Sequence, residues 1–395
     1  MIREFCPNGI KTVPLWKYTA WDKKFNAVDN SMQKSIIKYK YLLANKLNEI
    51  VDNTGDIRIL YTSEEVAYTT EEKAGEFISQ GEIVAIPWGG NPNVKYYNGR
   101  FITGDNRIAT SIAPKILDTK FLYYVLLNKL DIISTFYRGA GIKHPSMLSV
   151  LTLEIPLPPL NIQKEIVSIL DSFTSLINKM KQEVEMRKKQ MEYYREKLMA
   201  PQKNWEIKTL GEIGTFTRGN GLQKSDFRDK GFPCVHYGQI HTYYNTCIYE
   251  TKSFCEEDLA KKLQKASYGD LLIATTSEDV KACCKAAVWF GVGDVAYSGD
   301  SFCYSHDQDS KYIAYLFQTD MFAKQKQKAA TGAKVVRVSG ESMASFSFAF
   351  PPLAQQRQIA SILDTFETYI SKQEKMIELR QKQYEYYREK LLTFE

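Results

Sequence analysis

Apolar side chains recur along two stretches of the chain with steps that alternate four and three. The first stretch places Ile166, Leu170, Phe173, Ile177, Met180, Val184, Arg187, Met191, Tyr194 and Leu198 on one line. The second places Ile359, Leu363, Phe366, Ile370, Gln373, Ile377, Arg380, Tyr384, Tyr387 and Leu391 on another. Charges and amides fill the remaining faces. That is a heptad seam, and it predicts two long amphipathic helices. About 37 helical residues at ~1.5 Å each reach ~55 Å, a length that suits a coiled-coil spacer better than a helix of an ordinary globular core. Pro158-Pro159 and Pro351-Pro352 mark the helix entries, since proline fits a helix start and not its interior. Asn161 reads as a cap for the first helix, whereas Ala354 or Gln355 would cap the second poorly. Arg187 and Arg380 interrupt the two seams at the same place. Each is either a semi-buried group that sets register against an acidic partner or an arginine that snorkels past the core edge.

The two stretches are copies of one another. Laid without a gap, Pro158–Leu198 and Pro351–Leu391 agree at 23 of 41 positions and share the closing heptapeptide EYYREKL. The register continues upstream, where Gly139-Ala140 falls on Gly332-Ala333 and Ile142 on Val335. The period far exceeds that of a solenoid repeat. The chain therefore divides into a globular head over residues 1–157, a helix and linker over 158–200, a second head over 201–350 and a second helix over 351–395. Met199–Trp205, with its helix-ending proline and polar content, reads as the linker.

Inside the heads, GEIVAIPWGGNPN (Gly81–Asn93) and GDLLIATTSEDV (Gly269–Val280) each open on glycine and acid, pass through a short apolar run and end turn-rich. Gly104–Asn106 and Gly299–Ser301 follow, and then come helical patterns at Asp118–Tyr137 and Ser310–Gln327. Strands first and helices later indicate an α+β domain present twice.

Composition narrows the functions. The chain has 395 residues, 44% apolar and 25% charged, which is a folded globular composition. The opening MIREFCPNGI has no apolar core of the kind a secretory signal requires, and no run of apolar residues reaches a membrane-span length. Seven cysteines, an odd number with one adjacent pair and no CxxC, point to reduced thiols in a cytoplasmic protein. The net charge of +6 permits an anionic partner without demanding one.

Catalytic patterns are absent from the sequence. It has no Walker A motif, no dinucleotide fingerprint, no HExxH, no nucleophile elbow and no adenine-methyltransferase segment of the Asn/Asp-Pro-Pro-aromatic type. His236 and His241, five apart, share neither a strand face nor a helix face for a metal. No metal site and no catalytic residue are assigned. Two heads on long helices without visible chemistry fit binding and positioning. The residue types that suit DNA lie in FTRGNGLQKSDFRDKGFP (Phe216–Pro233), where Arg218, Asn220, Lys224, Arg228 and Lys230 cluster around flexible glycines. The polar loops before each long helix add Arg138, Lys143 and His144 in head one, and Lys334 and Arg337 in head two.

With these residues in view, the sequence resembles a specificity subunit of a type I restriction-modification system. The resemblance covers nearly the whole chain. It is carried by Phe5–Trp16, by Trp205–Gly221, by Gly269–Ser277 and above all by PPLNIQKEIVSIL (Pro158–Leu170) and PPLAQQRQIASIL (Pro351–Leu363). Head one departs from the family pattern after Trp16, where Lys17–Asn30 lacks the glycine-rich loop. The resemblance implies two target recognition domains, each reading one half of a split double-stranded DNA sequence. It implies long helices that pack antiparallel with a pseudo-twofold internal repeat, hold the domains apart and dock two modification subunits. It further implies restriction subunits in the full assembly, and S-adenosylmethionine, ATP and magnesium bound by those partners and not by this chain, which would be non-catalytic. A different reading of the same helices is a coiled-coil scaffold whose heads bind proteins, and salt-sensitive duplex binding separates the two.

Overall fold

The computed structural model describes residues 9–332 and 334–394. Phe5–Asn8 of the opening motif, Cys6 and Ala333 lie outside the described residues. The chain forms two compact units: one comprises residues up to Met180 together with those from Met376 onward, and the other is Lys181–Lys375. The two long helices span Leu160–Leu198 and Leu353–Thr393, so each unit holds a head and a segment of both helices. Among the described residues, no helix is long and apolar enough to cross a membrane.

In the first unit a six-stranded sheet runs in the order Thr19–Trp21, Asn106–Ser111, Ser79–Pro87, Lys95–Thr103, Ile57–Leu60, Val66–Thr69. The pairing of Ile57–Leu60 with Lys95–Thr103 is parallel and the rest are antiparallel. Alternation along GEIVAIP sends Ile83 and Ala85 to one face and Val84 and Ile86 to the other, and both faces are buried. Val84 and Ile86 meet Phe121, Leu122 and Val125 of the helix Thr119–Asn128. Ile162, Ile166, Leu170 and Ile177 of the first long helix belong to the same core. In the second unit a five-stranded sheet (Gly214–Arg218, Ser301–His306, Leu271–Ala274, Lys285–Trp289, Cys247–Ile248) adjoins a four-stranded one, and Ile359 and Leu363 enter its core. Each head is closed by a two-stranded clasp of its first and last strands: Thr12–Pro14 with Glu154–Pro156, and Glu206–Thr209 with Ser347–Phe350. The chain passes from the clasp directly into the prolines that open the long helix.

The helical patterns inside the heads each resolve into two helices. Asp118–Tyr137 becomes Thr119–Asn128 and Leu130–Thr135, because Lys129 leaves the helical region at φ −99°, ψ 16°. Ser310–Gln327 becomes Ser310–Leu316 and Asp320–Ala329, because the Thr319 hydroxyl accepts from the Phe322 N–H and starts a new helix. Asn161 is not the cap of the first long helix. That helix begins at Leu160, and the N–H groups of Ile162 and Gln163 donate to the Pro159 carbonyl. The Met199–Trp205 linker is anchored at both ends, since Met199 and Trp205 are buried in the second unit's core.

What fastens each head to its helix is a polar triad that recurs at repeat-related positions. Asp171 accepts from Lys120 Nζ and Tyr124 Oη, each at 2.6 Å. Asp364 accepts from Lys311 and, at 2.9 Å, from Tyr315, whose hydroxyl also reaches Glu367. Burial and these carboxylates push both tyrosines far above their ordinary pKa, so they remain hydroxyl donors. Beside them the wholly buried Gln163 donates to Ile116 O and Pro158 O and accepts from Asp118 N–H. Gln356 does the same work with Gln308, Pro351 O and Asp309 N–H. Asp118 and Asp309 are the N-caps of the docking helices, so one glutamine ties a head helix to a long-helix start.

Within each unit the long-helix segments run antiparallel. In the first, Phe173 stacks on Tyr387 at 5.6 Å while Thr174 lies at Tyr384; Leu391 packs on the core. In the second, Tyr194 stacks on Phe366, also at 5.6 Å, Lys188 pairs with Glu374, Ile370 is buried and Leu198 packs on the core. The stacked pair is one contact made twice with the repeats exchanged. Among the described residues, Arg187 finds no acidic partner across the seam. Its guanidinium lies 5.5 Å from the Tyr369 ring, and its polar contacts are Gln190 and Glu183 of its own helix. Arg380 donates to Gln383 in the same way. Both are therefore snorkelling arginines and not buried charges.

Candidate functional site

The second head carries an open polar cleft of about 620 Å³. Its floor is made where the strand Gly214–Arg218 ends. Gly219 N–H donates to Ser301 O, and a Cβ on Gly219 would lie 2.2 Å from Ser298 O, so only glycine permits this approach of two backbones. Gly221 turns the chain at φ +61° into the short 3-10 helix Lys224–Asp226. The opposite wall is the turn Ser298–Asp300 and the start of the helix Tyr237–Thr242.

Arg218 and Lys224 line this cleft together with His236, Tyr237 and Asp300. The Arg218 Nε donates to Gly299 O at 3.0 Å, which orients the guanidinium plane. His236 caps the helix Tyr237–Thr242: its Nδ1 accepts from Gly238 N–H at 3.1 Å. Burial, with the Lys224 ammonium nearby, lowers the His236 pKa below the usual imidazole value, so the ring is neutral with its proton on Nε2. His241 is also structural, with Nε2 against Thr276 O at 2.9 Å.

Other expected contact residues are placed differently. Asn220 donates to Lys262 O and accepts from Gln264 N–H, so both ends of its amide are held by the protein's own backbone. Arg228 is engaged by Glu256 and by the Ser225 and Phe227 carbonyls. Both therefore position loops in this structure, where base or phosphate contact was expected. Lys230 is exposed and is not among the residues that line the cleft.

The loops before the long helices are matched hairpins. Arg138 pairs with His144, and Thr331 with Arg337. Gly139 and Gly332 turn them at φ +143° and +102°, where a Cβ would meet Ile142 O or Val335 O. Arg138, Lys143, His144, Lys334 and Arg337 are all exposed. His144 Nδ1 lies 2.7 Å from Trp88 O, and Arg337 pairs with Thr276 in the corresponding place.

Lys23 and Trp88 of head one were not reached from sequence. Trp21 pairs with Ala109, and Phe216 pairs with Tyr304, each partner at the same distance past its own Gly-Asp dipeptide. Lys23 thus occupies the position of Arg218. It is exposed, with Nζ 5.8 Å from the Trp88 ring. Arg107 lies 4.3 Å from the same ring, but its side chain is 3% exposed and bound to Asp105 and Asp22, which makes it structural. The signal available in the sequence was the shared Gly-Asp of GDN and GDS.

Cleft geometry gives one sharp expectation. Gly219→Ala should force the Ser298–Asp300 turn away from the strand end and lower stability by about 2–4 kcal/mol. Thermal unfolding checks this, and Gly141→Ala, at an open position, should be near neutral.

Compared with known proteins, the chain matches the family model described as the type I restriction modification DNA specificity domain twice, over residues 24–186 and 202–381. It is 28% identical over 338 residues to a putative type I restriction enzyme specificity subunit of Haemophilus influenzae, with 80% of this chain and 84% of that one covered. A type I restriction enzyme specificity subunit of Escherichia coli is 28% identical over 309 residues, covering 70% of each. Among solved structures, the S subunit of a type I restriction-modification system from M. genitalium superposes with a TM-score of 0.64 at 16% identity, over 97% of this chain and 96% of that one.

Proposed function

The chain belongs to the type I restriction modification DNA specificity family, and we propose that it reads a two-part, asymmetric DNA target, one part with each head. DNA sequence recognition is the family's function. The observation that carries the finer reading is the double match: each copy of the family model covers one head and most of the helix that follows it. The heads share a frame but differ in the side chains they present. Lys23 and Trp88 stand in one where Arg218 and Thr276 stand in the other. Two different surfaces read two different half-sites.

We further propose that the long helices dock two methyltransferase subunits, that restriction subunits join that assembly, and that S-adenosylmethionine and ATP with magnesium act in those partners while this chain is non-catalytic. Support comes from apolar side chains off the seam that recur in both copies. Met186 and Leu379 are 64% and 60% exposed, and Tyr193 and Tyr386 are 59% and 55% exposed. Exposed apolar positions repeated at one register suit two copies of one protein partner.

Mapping N6-methyladenine across the genome with this gene present and deleted tests the reading. A motif of two short specified parts separated by a constant gap should vanish on deletion. An unchanged set of methylated motifs would refute it.

A further inference from the structure

We infer that the cleft of the second head reads a G·C base pair from the major groove, with the Arg218 guanidinium on guanine and the Asp300 carboxylate on cytosine. This rests on the reading that the heads recognise DNA, and it names the base pair that one of them requires.

Chemistry leads to this pair. Arg218 is fixed through its Nε on Gly299 O, and among the described residues its two Nη groups make no hydrogen bond to protein. They form a free, oriented fork of donors. Guanine alone presents two adjacent acceptors, O6 and N7, in the major groove. Asp300 lines the same cleft, and among the described residues its carboxylate enters no ion pair, with Arg218 or with any other group. Its backbone carbonyl is held by Thr275, so the carboxylate stands on an anchored turn. A carboxylate only accepts, and cytosine N4 is the donor that lies beside guanine O6 in the same base pair. A·T would leave the guanidinium a single acceptor, adenine N7, beside the N6 donor and would set thymine O4 and methyl against the carboxylate, while T·A would offer the guanidinium thymine O4 alone. His236 adds a donor at the wall, since its proton lies on Nε2, and the exposed Lys224 suits a phosphate.

The test is selection of a randomised duplex pool by the purified full-length chain, followed by binding measurements on the selected duplex. One half-site should contain an invariant G·C. Replacing that guanine by 7-deazaguanine, which lacks N7, should weaken binding of the natural chain roughly tenfold or more. Arg218→Ala should lose a similar factor on the natural duplex, lose no more with 7-deazaguanine, and accept any base there while the other half-site stays intact. Asp300→Asn should relax the same position. Unchanged unfolding midpoints show that these variants are folded. Equal loss on all sequences in Arg218→Ala would make the residue a phosphate contact and overturn the inference. A selected motif that Arg218→Ala leaves unaltered would overturn it too, with DNA recognition still standing. Failure of the natural chain to select any motif would remove the underlying reading as well.

Discussion

Gln163→Glu is expected to destabilise the first unit by about 3–5 kcal/mol, although it changes only an amide NH₂ into an oxygen. The Gln163 amide nitrogen donates to Ile116 O at 2.7 Å and to Pro158 O at 2.8 Å in a wholly buried site. A carboxylate there would face two carbonyl oxygens with no donor to offer. Only the contact from Asp118 N–H would survive. The defect should depend on pH with a definite sign. Burial among carbonyls raises the folded-state pKa of the introduced glutamate above its unfolded value, so the folded protein binds the extra proton. Stability of the variant is then greatest below the unfolded pKa and falls as pH rises through the folded one. Gln163→Ala should lose about 2–4 kcal/mol with no such pH dependence, because it removes the partner without adding charge. Denaturant titrations of the three proteins at acid and neutral pH would show this. Equal stabilities at neutral pH would mean that the glutamine does not hold the head to the helix.

Leu363→Ala should cost about 2–5 kcal/mol, whereas the adjacent Ile362→Ala should cost less than about 1 kcal/mol. Leu363 is 0% exposed and sits in the second unit's core with Ile359 and Phe322; Ile362 is 44% exposed. The two substitutions delete similar volumes one residue apart, so the difference measures the seam's register and not helix propensity. Leu170→Ala, at the repeat-related position and also 0% exposed, should match Leu363→Ala in the first unit. Chemical denaturation monitored by circular dichroism separates the cases. Similar losses at Leu363 and Ile362 would place the seam elsewhere.

The contrast between helices and clefts shows what kind of information a sequence carries. The seam positions Ile166, Leu170 and Ile177, and Ile359, Leu363 and Ile370, are buried as their spacing requires. Their periodicity is set by the turn of the helix itself, so it is written within a few residues of each position. The duplication likewise pairs Asp171 with Asp364 and Gln163 with Gln356 through repeat register alone. It does not reveal what those side chains hold. Their partners, Lys120 and Ile116 in one unit and Lys311 and Asp309 in the other, lie tens of residues upstream. The helix breaks at Lys129 and Thr319 were hidden for a similar reason: both interrupt runs that are apolar enough to continue.

Sequence alone determined that this protein is a duplicated pair of heads and long helices, because period, breaker residues and repeat register are properties of neighbours along the chain. Only the tertiary structure decided which cationic and polar side chains remain free. Arg218, Asn220 and Arg228 are indistinguishable as members of one polar loop. Their fates are set by Gly299, by Lys262 with Gln264, and by Glu256, groups brought alongside only when the strands pair. A hydrogen bond to a distant carbonyl or carboxylate leaves no mark on local pattern, and what it leaves unengaged decides the outcome: among the described residues both Arg218 Nη groups stay free to meet a ligand, while Asn220 and Arg228 are spent on holding loops.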